Sequence, residues 1–190
     1  MVASPYPYPS GATEANGLRA SAASGFYRAS MPRLFASANL TAATSGVAVA
    51  TPLFLRRGER VTSLTWVSGA TALATGTTQL AALYSAAATP ALLRKSADAT
   101  SAAWAANALK TFDLASPVDI SADGYYWASL IVAAATVQTL AGHLAQTGVA
   151  GPVVTGDLNL AVTHGSALTD APATIATPTV RAGVPFVVAR

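Results

Sequence analysis

Two histidines, His143 and His164, and a few carboxylates are the groups with which this chain could carry out acid–base or metal chemistry. Neither histidine has a carboxylate, a cysteine or the other histidine at ligand spacing, so both read as loop or surface residues. There is no Gly-x-Ser-x-Gly turn to raise a serine nucleophile, and common serines elsewhere are no sign of a triad. A pair of carboxylates would suit glycoside hydrolysis. The candidates are Asp113, Asp119, Asp123, Asp157 and Asp170, since Glu14 lies in a Pro/Gly/Ser-rich stretch and Glu59 in a turn. Asp123 precedes Gly124 and is explained by turn formation, and Asp98 by helix or loop capping. Asp119 and Asp123 lack the spacing of a calcium loop. With no cysteine, thiolate sites and disulfides are excluded. The residues therefore predict a protein that is not an enzyme, with no cofactor and no metal.

Aromatic rings raise a second chemistry, stacking on sugars. Trp66, and either Tyr126 or the Tyr125/Trp127 pair, are expected in the core of a small β-domain. Trp104, between Ala103 and Ala105, is expected to be exposed or at an interface, and is the candidate contact for a host surface glycan.

Charged residues make up 10% of the chain and hydrophobic ones 52%, so a surface of Ala, Thr, Ser and Gly has few charges to resist association. That composition favours packing against copies or partners and points to a homo-oligomer. The net charge of +3 comes without a Lys/Arg stripe, which argues against nucleic-acid binding. The uncharged stretches 34–55 and 124–148 are too rich in Ala and polar breaks to favour membrane insertion. The first nine residues, broken by Pro5, Pro7 and Pro9, lack the basic start of a secretory signal.

These residues must be positioned by β-structure. Residues 1–35 have no apolar periodicity and read as an extended anchoring arm with a polyproline-like start. Its assembly contacts are expected from Tyr6, Tyr8, Phe26, Tyr27, Leu34 and Phe35. Residues 36–190 read as an antiparallel β-sandwich, jelly-roll-like, from short strands divided by turn residues. Strands are expected over 47–55, with Pro52 at an edge or bulge, and over 60–67, with Thr62, Leu64 and Trp66 on one face and Val61, Ser63, Thr65 and Val67 on the other. A loop is expected over 68–78, strands over 79–84 and 91–95, and a loop leading to a strand near 110–114. The run 125–132 is apolar enough for both faces of a central strand. Shorter strands are expected at 137–140, 158–162 and 184–188.

The succession Pro52-Leu-Phe-Leu-Arg-Arg-Gly-Glu-Arg-Val-Thr-Ser-Leu-Thr-Trp-Val-Ser-Gly69, then Leu80-Ala-Ala-Leu-Tyr84, Ser101-Ala-Ala-Trp-Ala-Ala-Asn107 and Ala122-Asp-Gly-Tyr-Tyr126 resembles a β-sandwich domain of phages infecting actinobacteria. The resemblance covers about 38–142. Such domains occur on virion appendages, in minor tail proteins and fibres or as stand-alone surface proteins. It implies a virion structural protein, made in the host cytoplasm, whose partners are major capsid or tail proteins, and it carries over no catalytic residue. Residues 143–190 fall outside it and are expected to add strands or a C-terminal attachment segment.

Overall fold

The computed structural model describes residues 27–190; Tyr6, Tyr8, Phe26 and most of the expected arm lie outside them. The described residues form an all-β sandwich of antiparallel sheets. The strands are β1 (Arg28–Ala29), β2 (Ala38–Leu40), β3 (Ala48–Leu55), β4 (Arg60–Val67), β5 (Ala74–Tyr84), β6 (Leu92–Lys95), β7 (Leu109–Asp119), β8 (Gly124–Thr136), β9 (Leu140–Leu144), β10 (Val162–His164), β11 (Thr179–Val180), β12 (Gly183–Pro185) and β13 (Val187–Ala189). A 3₁₀ turn, Arg33–Phe35, and one α-helical turn, α1 (Thr147–Ala150), complete the elements.

A six-stranded sheet, ordered β11-β10-β3-β8-β5-β6, faces a four-stranded sheet, β1-β13-β4-β7, and a three-stranded sheet, β12-β9-β2, adjoins them. The core between the two larger sheets joins Leu53, Leu55, Leu83, Tyr126 and Leu130 from the first to Val61, Leu64, Trp66, Phe112 and Val187 from the second. The six-stranded sheet is buried on its other face too: Ala50, Tyr84, Trp127 and Val162 lie under Ile175 and Ala171, with Ala48, Leu80 and Ile131 beneath Leu168. A sheet covered on both faces favours a central strand apolar on both sides, and β8, between β3 and β5, is buried without a break from Tyr126 to Val132 with Ser129 as the single aliphatic hydroxyl in that run. Pro52 is tolerated because β10 pairs only with Ala48–Ala50, so β3 has no neighbour on that side at the position that lacks an N–H.

Several expectations are corrected. The faces of β4 do not alternate as its sequence does. Register shifts between Val61, opposite Val118, and Ser63, opposite Asp113, so Val61 joins Leu64 and Trp66 in the core. At the shift the amides of Thr62 and Ser63 both donate to the carbonyl of Arg190, while Leu114 of β7 bridges to Ser96 at the other sheet. β5 begins at Ala74, inside the expected loop. The strands expected at 137–140 and 158–162 start at Leu140 and Val162. The expected strand 184–188 is two, separated by Phe186, whose amide donates to the Ala141 carbonyl at 2.9 Å; β12 then pairs with β9 and β13 with β4. Within the stretch expected as the arm, Arg28 and Ala29 pair with Ala189 and Val188.

Candidate functional site

Trp104 is not a surface residue. It is 1% exposed, its ring meets Phe112 edge-on at 5.8 Å, and its indole N–H donates to the Ala108 carbonyl at 3.0 Å. The expectation of an exposed ring fails because the loop before β7 folds inward and is held there. The Lys110 ammonium donates to Gln79 Oε1 and to the Ala102 carbonyl, both at 2.6 Å, and lies over the Trp104 ring. Burial lowers the pKa of Lys110.

His164 likewise departs from the surface reading. It is 3% exposed on β10, its ring edge-on to Tyr84, and its Nε2 shares a 3.2 Å hydrogen bond with Ser129 Oγ on β8. Burial pushes its pKa down to about 4, which keeps the imidazole neutral. A serine beside a neutral imidazole is the beginning of a nucleophile–base pair, but Ser129 is fully buried within the sheet and has no face open to a substrate. The same layer holds Tyr84, whose hydroxyl donates to the Pro172 carbonyl at 2.9 Å; burial, with Asp170 nearby, raises its pKa. The group is a structural network that pins residues 165–175 onto the sheet. His143 is exposed on β9; its Nδ1 donates to the Phe35 carbonyl at 3.2 Å and its ring meets the Phe35 ring edge-on.

The carboxylates are spread over separate structural tasks. Asp98 accepts from the amides of Gln79 and Thr100, Asp119 meets Arg60, and Asp123 accepts from the Arg57 amide at 2.7 Å. Asp157 accepts from the amides of Val153 and Val154, and Asp170 pairs with Lys95, whose hydrogen bond holds its pKa below the ordinary value. Among the described residues no three His, Cys, Asp or Glu side chains gather as a metal site.

Of the expected assembly residues, Leu34 and Phe35 are exposed, at 69% and 50%, on the 3₁₀ turn Arg33–Phe35, and Tyr27 is half-buried. The sequence reading missed a second surface. At the far end of β3 and β8 the outer face of the six-stranded sheet emerges from its cover. There Phe54 and Tyr125 are paired across the strands, both exposed, their rings edge-on at 5.2 Å. Tyr125 separates two open depressions. One, of about 440 Å³, has Trp127, Pro90 and Ile175 in its lining; the other, of about 390 Å³, has Pro52, Val149 and Leu160. The loop 156–159 borders both. Gly124 is required at the rim, because a Cβ there would stand 2.8 Å from that of Ala86. Val153, Val154 and Leu158 add exposed apolar surface from the loop after α1. The site is an aromatic, largely apolar groove bordered by two carboxylates, Asp123 and Asp157, and is suited to binding an apolar or amphipathic chain.

The chain matches no protein-family model and no curated protein.

Among the described residues no helix is long and apolar enough to cross a membrane.

Proposed function

We propose that this chain is a non-enzymatic bacteriophage virion structural protein, attached to the capsid or tail surface through its N-terminal arm. The observation that carries the reading is where the polar and apolar groups go. The carboxylates Asp98, Asp123 and Asp157 are spent on backbone amides, while large apolar side chains remain on the outside at Leu34, Phe35, Phe54 and Tyr125. Exposed apolar groups favour burial against another protein, and the scarcity of charge leaves specificity to shape and backbone pairing. The resemblance over 38–142 supplies the virion context. The alternative is a receptor- or glycan-binding module at the tail tip, with Trp104 and the segment 69–78 as its contact. It loses its stacking ring to the core.

The test is the number of copies per purified particle, measured by quantitative mass spectrometry against the major capsid protein. A number comparable with the capsid protein assigns the chain to shell decoration, and a handful per particle to the tail. Absence from the particle overturns the proposal. A deletion of residues 1–26, which stops short of the β1 pairing, is expected to abolish incorporation with the sandwich intact.

A further inference from the structure

We propose that in the unassembled protein the segment Pro5-Tyr6-Pro7-Tyr8-Pro9 docks into the chain's own groove, astride Tyr125. This goes beyond the assembly role and does not depend on it, since it concerns the free chain.

Three observations lead there. First, the groove has the lining that receives polyproline-type ligands: the Tyr125 and Phe54 rings edge-on to each other, Trp127 in the adjoining depression, and Pro52 and Pro90 at the sides. A Pro-x-Pro-x-Pro run has a preformed extended shape and rises about 3.1 Å per residue, so it loses little entropy on docking and presents rings along its length.

Second, the chain joins the sandwich at the groove's end of the molecule. Arg28 of β1 pairs with Glu59 in the β3–β4 turn, and the Arg57 amide of that turn donates to Asp123, which lines the larger depression. The 17 residues from Ser10 to Phe26 separate the Pro-Tyr run from Tyr27. Fully extended they reach about 55 Å, well beyond what docking at this end requires. A tethered ligand of that length has an effective concentration on the order of millimolar, so weak contacts suffice.

Third, the polarity matches. The five residues carry no charge and two hydroxyl donors. Asp123 and Asp157, both at the groove, each accept from backbone amides and keep lone pairs that can accept from a tyrosine hydroxyl.

The experiment places p-benzoylphenylalanine at Tyr8 in the full chain, irradiates a mixture of ¹⁵N-labelled and unlabelled protein, and maps the cross-links by mass spectrometry. Cross-links to residues 123–127 and 149–160 within one isotope population are expected, with at least a tenfold loss in a second protein that also carries Tyr125→Ala. Tyr125 is exposed, so that variant keeps its melting temperature. Cross-links between isotope populations would overturn the proposal by assigning the groove to a second copy. Cross-links on another face, none at all, or a yield unmoved by Tyr125→Ala would overturn it outright. So would cell-wall oligosaccharide protecting the groove in hydrogen exchange while Tyr8 cross-links lie elsewhere.

Discussion

Ser129 Oγ and His164 Nε2 share a hydrogen bond of 3.2 Å in the layer beneath residues 165–175, and that bond belongs to the neutral imidazole. Protonation in the folded protein is resisted down to about pH 4, whereas the unfolded histidine takes up its proton near 6.5. Between those values the unfolded state binds more protons, so stability falls as the pH is lowered. The contribution is fully present above pH 6.5 and gone below about 4, on the order of 3 kcal/mol in all. Urea unfolding from pH 7.5 to 4 measures it. His164→Gln should lower stability at pH 7 and flatten the slope over that range; an unchanged slope would refute the assignment. Asp170, held below its ordinary value by Lys95, adds loss in the same direction only at more acidic pH.

Trp104→Ala is a core deletion. It removes the ring packed on Phe112 and one of the donors to the Ala108 carbonyl, which keeps those of Ser68, so a cost of about 3–5 kcal/mol, mostly from lost packing, is expected in chemical denaturation. Protein that keeps its unfolding midpoint would place the ring outside the core.

Lys110→Met should act on one loop. The ammonium ties the Ala102 carbonyl to Gln79 of β5, and a methionine keeps the apolar stem over Trp104 while losing both bonds. A loss of about 1–3 kcal/mol is expected. In hydrogen exchange, protection should drop at residues 98–108 and hold in β8.

Gly142→Ala tests the three-stranded sheet. A Cβ there would lie 2.1 Å from the Val184 carbonyl and 2.9 Å from Pro185 Cα in β12, and 2.7 Å from the Leu40 side chain in β2. Backbone cannot yield as a side-chain tip does, so destabilisation of about 1–3 kcal/mol or more is expected. Calorimetry should register it as a lower melting temperature, accompanied by faster exchange in β2 and β12.

Much of the sandwich was legible because burial on two faces writes itself into a strand. The run Tyr126–Val132 is buried at odd and even positions alike, nearly all of them apolar, and it occupies the centre of the larger sheet. β4 was legible as a strand but not in its faces, since the shift between Val61 and Ser63 depends on Arg190 and on the course of β7, both remote in sequence. His164 lies 35 positions from the serine that accompanies it, with no spacing rule to connect them. Trp104 was misplaced because the residues that enclose it, Phe112 and Lys110, belong to the next strand. The larger depression of the groove alone draws on four separate stretches of chain. Its one local sign was Asp123-Gly124, a turn that leaves the ring after it outside.

β13 lies between β1 and β4, so among the described strands β1 is hydrogen-bonded into its sheet only through β13. A ribosome delivers the chain in order, and β1 therefore waits for its strand neighbour while some 160 residues follow it out. Synthesis halted before Val187 would leave β4 with one edge unoccupied and β1 without its strand neighbour. Such a product should be conspicuous to chaperones and proteases, which makes the arrival of β13 the step that closes the four-stranded sheet.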